Sequence, residues 1–144
     1  MASALIQFAA CLSVRRPLQS YKKMKTITII LLASANIAVA SIPDNAAVKA
    51  IIGEAGGEPY AAQVAVASAL RHRGTLNGVY GVNNPCVKRA PSYAILRARK
   101  AWAASASHDY AHGCRYFGCP ADRSYFIRNG FQPSFSIGKI TFYK

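Results

Sequence analysis

The chain has 144 residues, with 18 lysines and arginines against five acids, a formal net charge of +13 and 52% apolar residues. This length suits one compact domain, and this apolar content excludes a disordered chain of low hydrophobicity. The single long apolar run, residues 27–40, spans 14 positions, short of the roughly 20 that a membrane-crossing helix needs, so a polytopic membrane protein is excluded.

Lys22, Lys23 and Lys25 precede that run, which ends in Ala38-Val39-Ala40 before Ser41. A basic start, an apolar middle and a small-x-small end is the order of a secretory signal peptide. Residues 1–40 are therefore read as a signal peptide and residues 41–144 as the exported domain. Met24-Lys25 also offers a start, which would make residues 1–23 an upstream extension. The exported part keeps 13 basic residues and all five acids, a net charge of +8. Such a surface attracts anionic polymers, which outside the cytoplasm are cell-wall glycopeptide, teichoic acid or lipopolysaccharide rather than nucleic acid. The basic residues are scattered, which also suits a solvated surface that serves solubility alone. The expectation is a monomer in the periplasm, cell wall or extracellular space, touching membrane only through its N-terminal segment.

From Asn45, apolar residues at Ala47, Val48, Ile51, Ile52 and Ala55 predict a first helix with one buried stripe, stopped by Gly56-Gly57. Pro59 suits the first turn of a second helix, with Ala62, Ala65, Val66, Ala69 and Leu70 as its stripe and its end by Gly74. Residues 74–90, rich in Gly and Asn, read as a loop. A third helix opens at Pro91 and buries Ala94, Ile95, Ala98, Ala101 and Trp102, leaving Arg97, Arg99 and Lys100 outside. Beyond Ser107 aromatic and turn residues take over. Asn129-Gly130 between Tyr125-Phe126-Ile127 and Phe131 predicts a hairpin, and Ile140 to Tyr143 a terminal strand. The fold class is α+β, helices first and short β-hairpin elements after.

Cys86, Cys114 and Cys119 lie in the exported part, where an oxidising compartment favours pairing two of them. A bridge from Cys86 to the Cys114/Cys119 region is expected, to hold down the 74–90 loop; Cys114 with Cys119 is the other sterically possible pair. His108, His112, Cys114 and Cys119 suggest a zinc site only weakly, because their spacing matches no paired-ligand pattern. No metal and no cofactor is expected.

The five carboxylates are Asp44, Glu54, Glu58, Asp109 and Asp122. Both glutamates fall in GEAGGEPY, at the break between the first two helices. Glu54 emerges beside Ala50 and Ile51 at the edge of an apolar stripe, where partial desolvation favours a protonated carboxyl, as a general acid requires. The same position also suits an ordinary solvated glutamate at a helix end. There is no G-x-S-x-G elbow for a serine nucleophile and no G-K-[ST] ending for a phosphate loop.

The run AVKAIIGEAGGEPYAAQVAVASALRHR resembles the opening of cell-wall hydrolase domains of the spore-cortex-lytic enzyme type, marked by a helix ending in E-A-x-G-E-P followed by Gln-Val-Ala-Val-Ala. GCRYF after Asp109 and the terminal IGKITFY are similar to later pieces of that family and occur in the same order, so the likeness spans roughly residues 46–143. The resemblance implies a lysozyme-like fold and cleavage of peptidoglycan glycan strands, by a lytic transglycosylase or muramidase. It implies Glu54 as the catalytic acid, with one obligatory carboxyl sufficing where most glycosidases need a facing pair. Glu58, Tyr60, Gln63, Tyr116 and Phe117 are the candidate substrate-binding residues, although Glu58 in the first turn before Pro59 also suits a structural role. The chain departs from the family pattern at Ile140, where histidine is usual, and in Arg71-His72-Arg73, where the family ends in Asn-Arg. Those departures admit two alternatives: a binding-only descendant that docks on peptidoglycan, and a basic exported protein that acts on membranes.

Overall fold

The computed structural model describes residues 41–144, and the expected signal peptide lies outside the described residues. Pro43 opens helix α1 (Asp44–Ala55), and Asp44 in its first turn complements the positive end of the helix dipole. Ala47, Val48, Ala50, Ile51, Ile52 and Ala55 are buried. Helix α2 (Tyr60–Arg73) starts after Pro59 and ends at Gly74. The expectation of one buried stripe on α2 is corrected: every residue from Ala62 to Leu70 is buried, Gln63 and Ser68 included. The physical reason is its position, because α2 packs against α1, α4 and β1 and its alanines let these neighbours approach on every side.

The 74–90 stretch is more ordered than a loop. It contains a 3-10 turn (Tyr80–Asn83) and a short helix α3 (Pro85–Lys88), opened by the Asn84 side chain accepting the Cys86 amide hydrogen at 3.0 Å. Helix α4 (Ser92–Ala104) buries Ala98, Ala101 and Trp102 as expected, while Ala94 and Ile95 are only half-buried. One polar knot locks the three long helices. The Trp102 indole donates to Asp44 at 2.7 Å, and Arg71 lies 3.7 Å over the Trp102 ring while donating to Ser105 Oγ and the Trp102 carbonyl, each at 2.8 Å.

The second half forms an antiparallel sheet of β1 (Tyr116–Gly118), β2 (Pro133–Ile137) and β3 (Ile140–Tyr143), with β3 in the middle. Phe142 and Tyr143 on β3 are fully buried. Phe135 stacks on Phe142 at 4.7 Å and Phe126 on Tyr143 at 4.3 Å. The expected strand at residues 140–143 is present, but the hairpin sits elsewhere. Its turn is Gly138-Lys139, between β2 and β3, and Tyr125-Phe126-Ile127 belong to helix α5 (Arg123–Arg128). Asn129-Gly130 instead ends α5, with Gly130 at φ 83°, since the left-handed glycine that makes a hairpin turn also makes a helix C-terminus.

The expected cysteine bridge is absent. Cys86 and Cys119 are exposed free thiols, and Cys114 is a free thiol buried in the core. Among the described residues no group of three or more His, Cys, Asp or Glu side chains is placed to hold a metal ion.

Candidate active site

Helix α1 ends where the 3-10 turn Tyr80–Asn83 crosses it. Gly53 and Gly81 meet there backbone to backbone, and a Cβ on Gly53 would overlap the Gly81 carbonyl. Two glycines are required because the turn passes directly over the last turn of the helix. That approach brings the Gly81 amide to Glu54, donating to Oε1 at 2.6 Å. Among the described residues this is the hydrogen bond on the Glu54 side chain, so Oε2 is left to the space in front of it.

That space is an open cleft of about 870 Å³. One wall comes from Gly53, Glu54, Arg73 and the 78–85 segment, with Tyr80 and Asn83 on it. The other comes from β1 through Tyr116, Phe117 and Gly118, from Asp122, and from Tyr125, Phe126 and Phe131. Arg73 spans the two: its guanidinium lies 5.3 Å from the Tyr116 ring, and it also donates to the Asn77 carbonyl. Tyr80 is 86% exposed and Tyr125 57% exposed, so two large aromatic faces are presented to solvent at the rim.

Of the sequence-predicted residues, Glu54, Tyr116 and Phe117 come together in the cleft. Glu58, Tyr60 and Gln63 do not line it. Glu58 Oε2 accepts the Lys139 amide hydrogen at 2.9 Å, which ties the β2–β3 turn to the α1–α2 junction. Gln63 is buried and donates to the Ala55 carbonyl at 3.0 Å, closing the bend between the helices. Tyr60 lies half-exposed beside Arg97, whose guanidinium is 5.8 Å from its ring.

Arg73, Tyr80, Asp122 and Tyr125 are cleft residues that the sequence reading did not single out. Tyr80 was the most legible of them, a bulky aromatic in a polar loop, where burial cannot explain it. Away from the cleft, Asp109 pairs with His72 Nε2 at 2.9 Å. Burial acts to raise the Asp109 pKa, but hydrogen bonds from His72 and from the Gly113 and Ala111 amides, with the His72 charge, outweigh it and hold the carboxyl below its ordinary value.

The fold and cleft define a small α+β domain with its helical half and its sheet half on opposite sides of one groove. No family model matches the chain, and a search of curated proteins finds no relative. Among solved structures, the catalytic domain of the Bacillus cereus SleB protein is 26% identical, with a TM-score of 0.52, covering 70% of this chain and 88% of that one. The catalytic domain of the germination-specific lytic transglycosylase SleB from Bacillus anthracis is 28% identical, also with a TM-score of 0.52, covering 70% of this chain and 93% of that one. The resemblance to spore-cortex-lytic cell-wall hydrolases read in the sequence thus holds in three dimensions.

Proposed function

We propose that this chain is an enzyme that cleaves the glycan strands of peptidoglycan by lytic transglycosylase chemistry, with Glu54 as general acid and base. The observation that carries this reading is the placement of Glu54, fixed through one oxygen by Gly81 and open to the cleft through the other. Glu54 protonates the glycosidic oxygen between N-acetylmuramic acid and N-acetylglucosamine. The bond from that oxygen to the anomeric carbon then breaks, and its electron pair stays on the oxygen. The 6-hydroxyl of the muramic acid closes onto the anomeric carbon and gives its proton to Glu54, which restores the acid and leaves a 1,6-anhydro end. Water in place of that hydroxyl would make the same site a muramidase.

Tyr116 and Phe117 with Tyr80 and Tyr125 supply aromatic faces for sugar rings. Glu58 and Gln63 serve the substrate only by holding the α1–α2 bend and the hairpin. Ile140 is buried in the core and does not line the cleft, so the loss of the usual histidine leaves the groove intact. The lysozyme-like reading of the fold rests on the same arrangement, a helix-end glutamate facing a small antiparallel sheet. Export follows from the substrate and from the signal-like N-terminus, and the exported species should begin at Ser41 by intact mass.

Mass spectrometry of the soluble products from purified peptidoglycan tests the reading. Anhydro-muropeptides are the expected result, and reducing ends would assign the muramidase variant. A folded protein that binds peptidoglycan and releases nothing is a binding-only descendant. One that leaks anionic vesicles and leaves peptidoglycan whole is membrane-active.

A further inference from the structure

The five carboxylates of the chain divide by what holds them. Asp44 is taken by the Trp102 indole, Glu58 by the Lys139 amide, and Asp109 by His72 and two loop amides. Glu54 and Asp122 are the two that line the cleft. Asp122 comes from the turn after β1, on the wall that Glu54 does not occupy. Its Oδ2 accepts both the amide hydrogen and the thiol hydrogen of Cys119, each at 3.0 Å. Gly118 lies against it, where a Cβ would stand 3.1 Å from Asp122 Cβ and 3.2 Å from Oδ2. The turn therefore fixes one carboxylate oxygen, and Oδ1 carries no hydrogen bond among the described residues.

We propose that Asp122 is a second catalytic carboxylate of this cleft, standing against the sugar whose bond Glu54 breaks and offsetting the positive charge that develops at its anomeric carbon and ring oxygen. The proposal rests on the glycan-cleavage reading. As the leaving oxygen takes the bonding electron pair, the anomeric carbon becomes cationic before the 6-hydroxyl closes on it. A carboxylate already fixed by its turn stabilises that charge without reorganising. Phe117 and Phe126, half-buried, line the same wall, while Asp122 itself is exposed to the open cleft, where a sugar ring can reach it. Asp122 neither gains nor loses a proton in the cycle, since Glu54 gives one to the leaving oxygen and takes one from the 6-hydroxyl.

The test uses the purified protein with Asp122→Asn and Asp122→Ser, both of which still accept the Cys119 amide hydrogen but carry no charge. Three quantities are read: release of anhydro products from purified peptidoglycan, co-sedimentation with the same peptidoglycan, and the thermal melt. Turnover is expected to fall roughly 10²-fold in both variants with binding and melt like the parent, and Asp122→Glu is expected to recover part of the loss. Parent-like turnover in a folded variant overturns the proposal, as does a loss of turnover matched by an equal loss of binding or of fold in both variants. If Glu54→Gln is inactive while Asp122→Asn is fully active, this inference fails and the glycan-cleavage reading stands. An inactive parent overturns both.

Discussion

Glu54 and Gly81 are held so close that no side chain fits between them: a Cβ at position 81 would stand 2.7 Å from both the Cγ and the backbone N of Glu54. The Gly81 amide thus reaches Glu54 only because Gly81 has no side chain. Gly81→Ala must push the 3-10 turn off α1, costing about 1–3 kcal/mol by overpacking. A lowered melting temperature is expected together with reduced peptidoglycan clearing, because the hydrogen bond that orients Glu54 moves with the turn.

Replacing Glu54 by Gln keeps its size and removes the transferable proton. Clearing of purified peptidoglycan should fall by roughly two or more orders of magnitude with the fold retained. Unchanged clearing by a folded Glu54→Gln protein would remove this residue from the mechanism.

Glu58 gives the opposite expectation. Its carboxylate braces the hairpin through the Lys139 amide, so Glu58→Ala should lower stability by about 1 kcal/mol. Turnover per folded molecule should stay at the parent value. A selective loss of substrate affinity, seen as a raised KM with an unchanged melt, would instead return Glu58 to the sugar-binding set.

Acid should loosen the tie between α2 and the segment after α4. The Asp109 carboxyl is held below its ordinary value of 3.8, so as pH falls the unfolded chain takes up its proton before the folded one. The stabilisation is therefore fully present above that value and is lost as pH falls below it, through the folded-state pKa. Thermal melts across that range should show the parent losing more stability than Asp109→Asn, which has no proton to gain at this site.

Thiol labelling separates the three cysteines of residues 41–144 by burial. In the native protein Cys86 and Cys119 should react and Cys114 should not, with all three reacting once the chain is unfolded. Recovery of a Cys86-linked peptide under non-reducing conditions would show a bridge that the structure does not contain.

The helices were legible because their apolar spacing is local. The stripe from Ala47 to Ala55 and the Gly56-Gly57 stop can be read without knowing what they pack on. The depth of α2 was not, since an alanine-rich helix has the same pattern whether one face or every face is covered, and only the third dimension places α4 and β1 around it. Asn129-Gly130 misled for a chemical reason, because one left-handed glycine serves two kinds of chain reversal. In the cleft, Glu54 could be found from its motif, whereas Asp122 depends on the 119–122 turn carrying it to a wall 68 positions away in sequence. Glu58 and Gln63 share the motif of Glu54, yet the bend between α1 and α2 aims them elsewhere, Glu58 at the β2–β3 turn and Gln63 into the junction itself.

The enclosure of α2 divides the molecule by how freely it can change. Nine consecutive positions, Ala62 to Leu70, have little or no solvent-facing room, so an added methylene there presses on a neighbouring helix or on the sheet. The wall carrying Tyr125, with an exposed face of its own, has no such neighbour on its outer side. Substitutions that retune what the groove accepts can therefore accumulate on the sheet side while the helical side keeps Glu54 in place. Variants selected for a different wall chemistry should change residues 123–131 and spare residues 62–70.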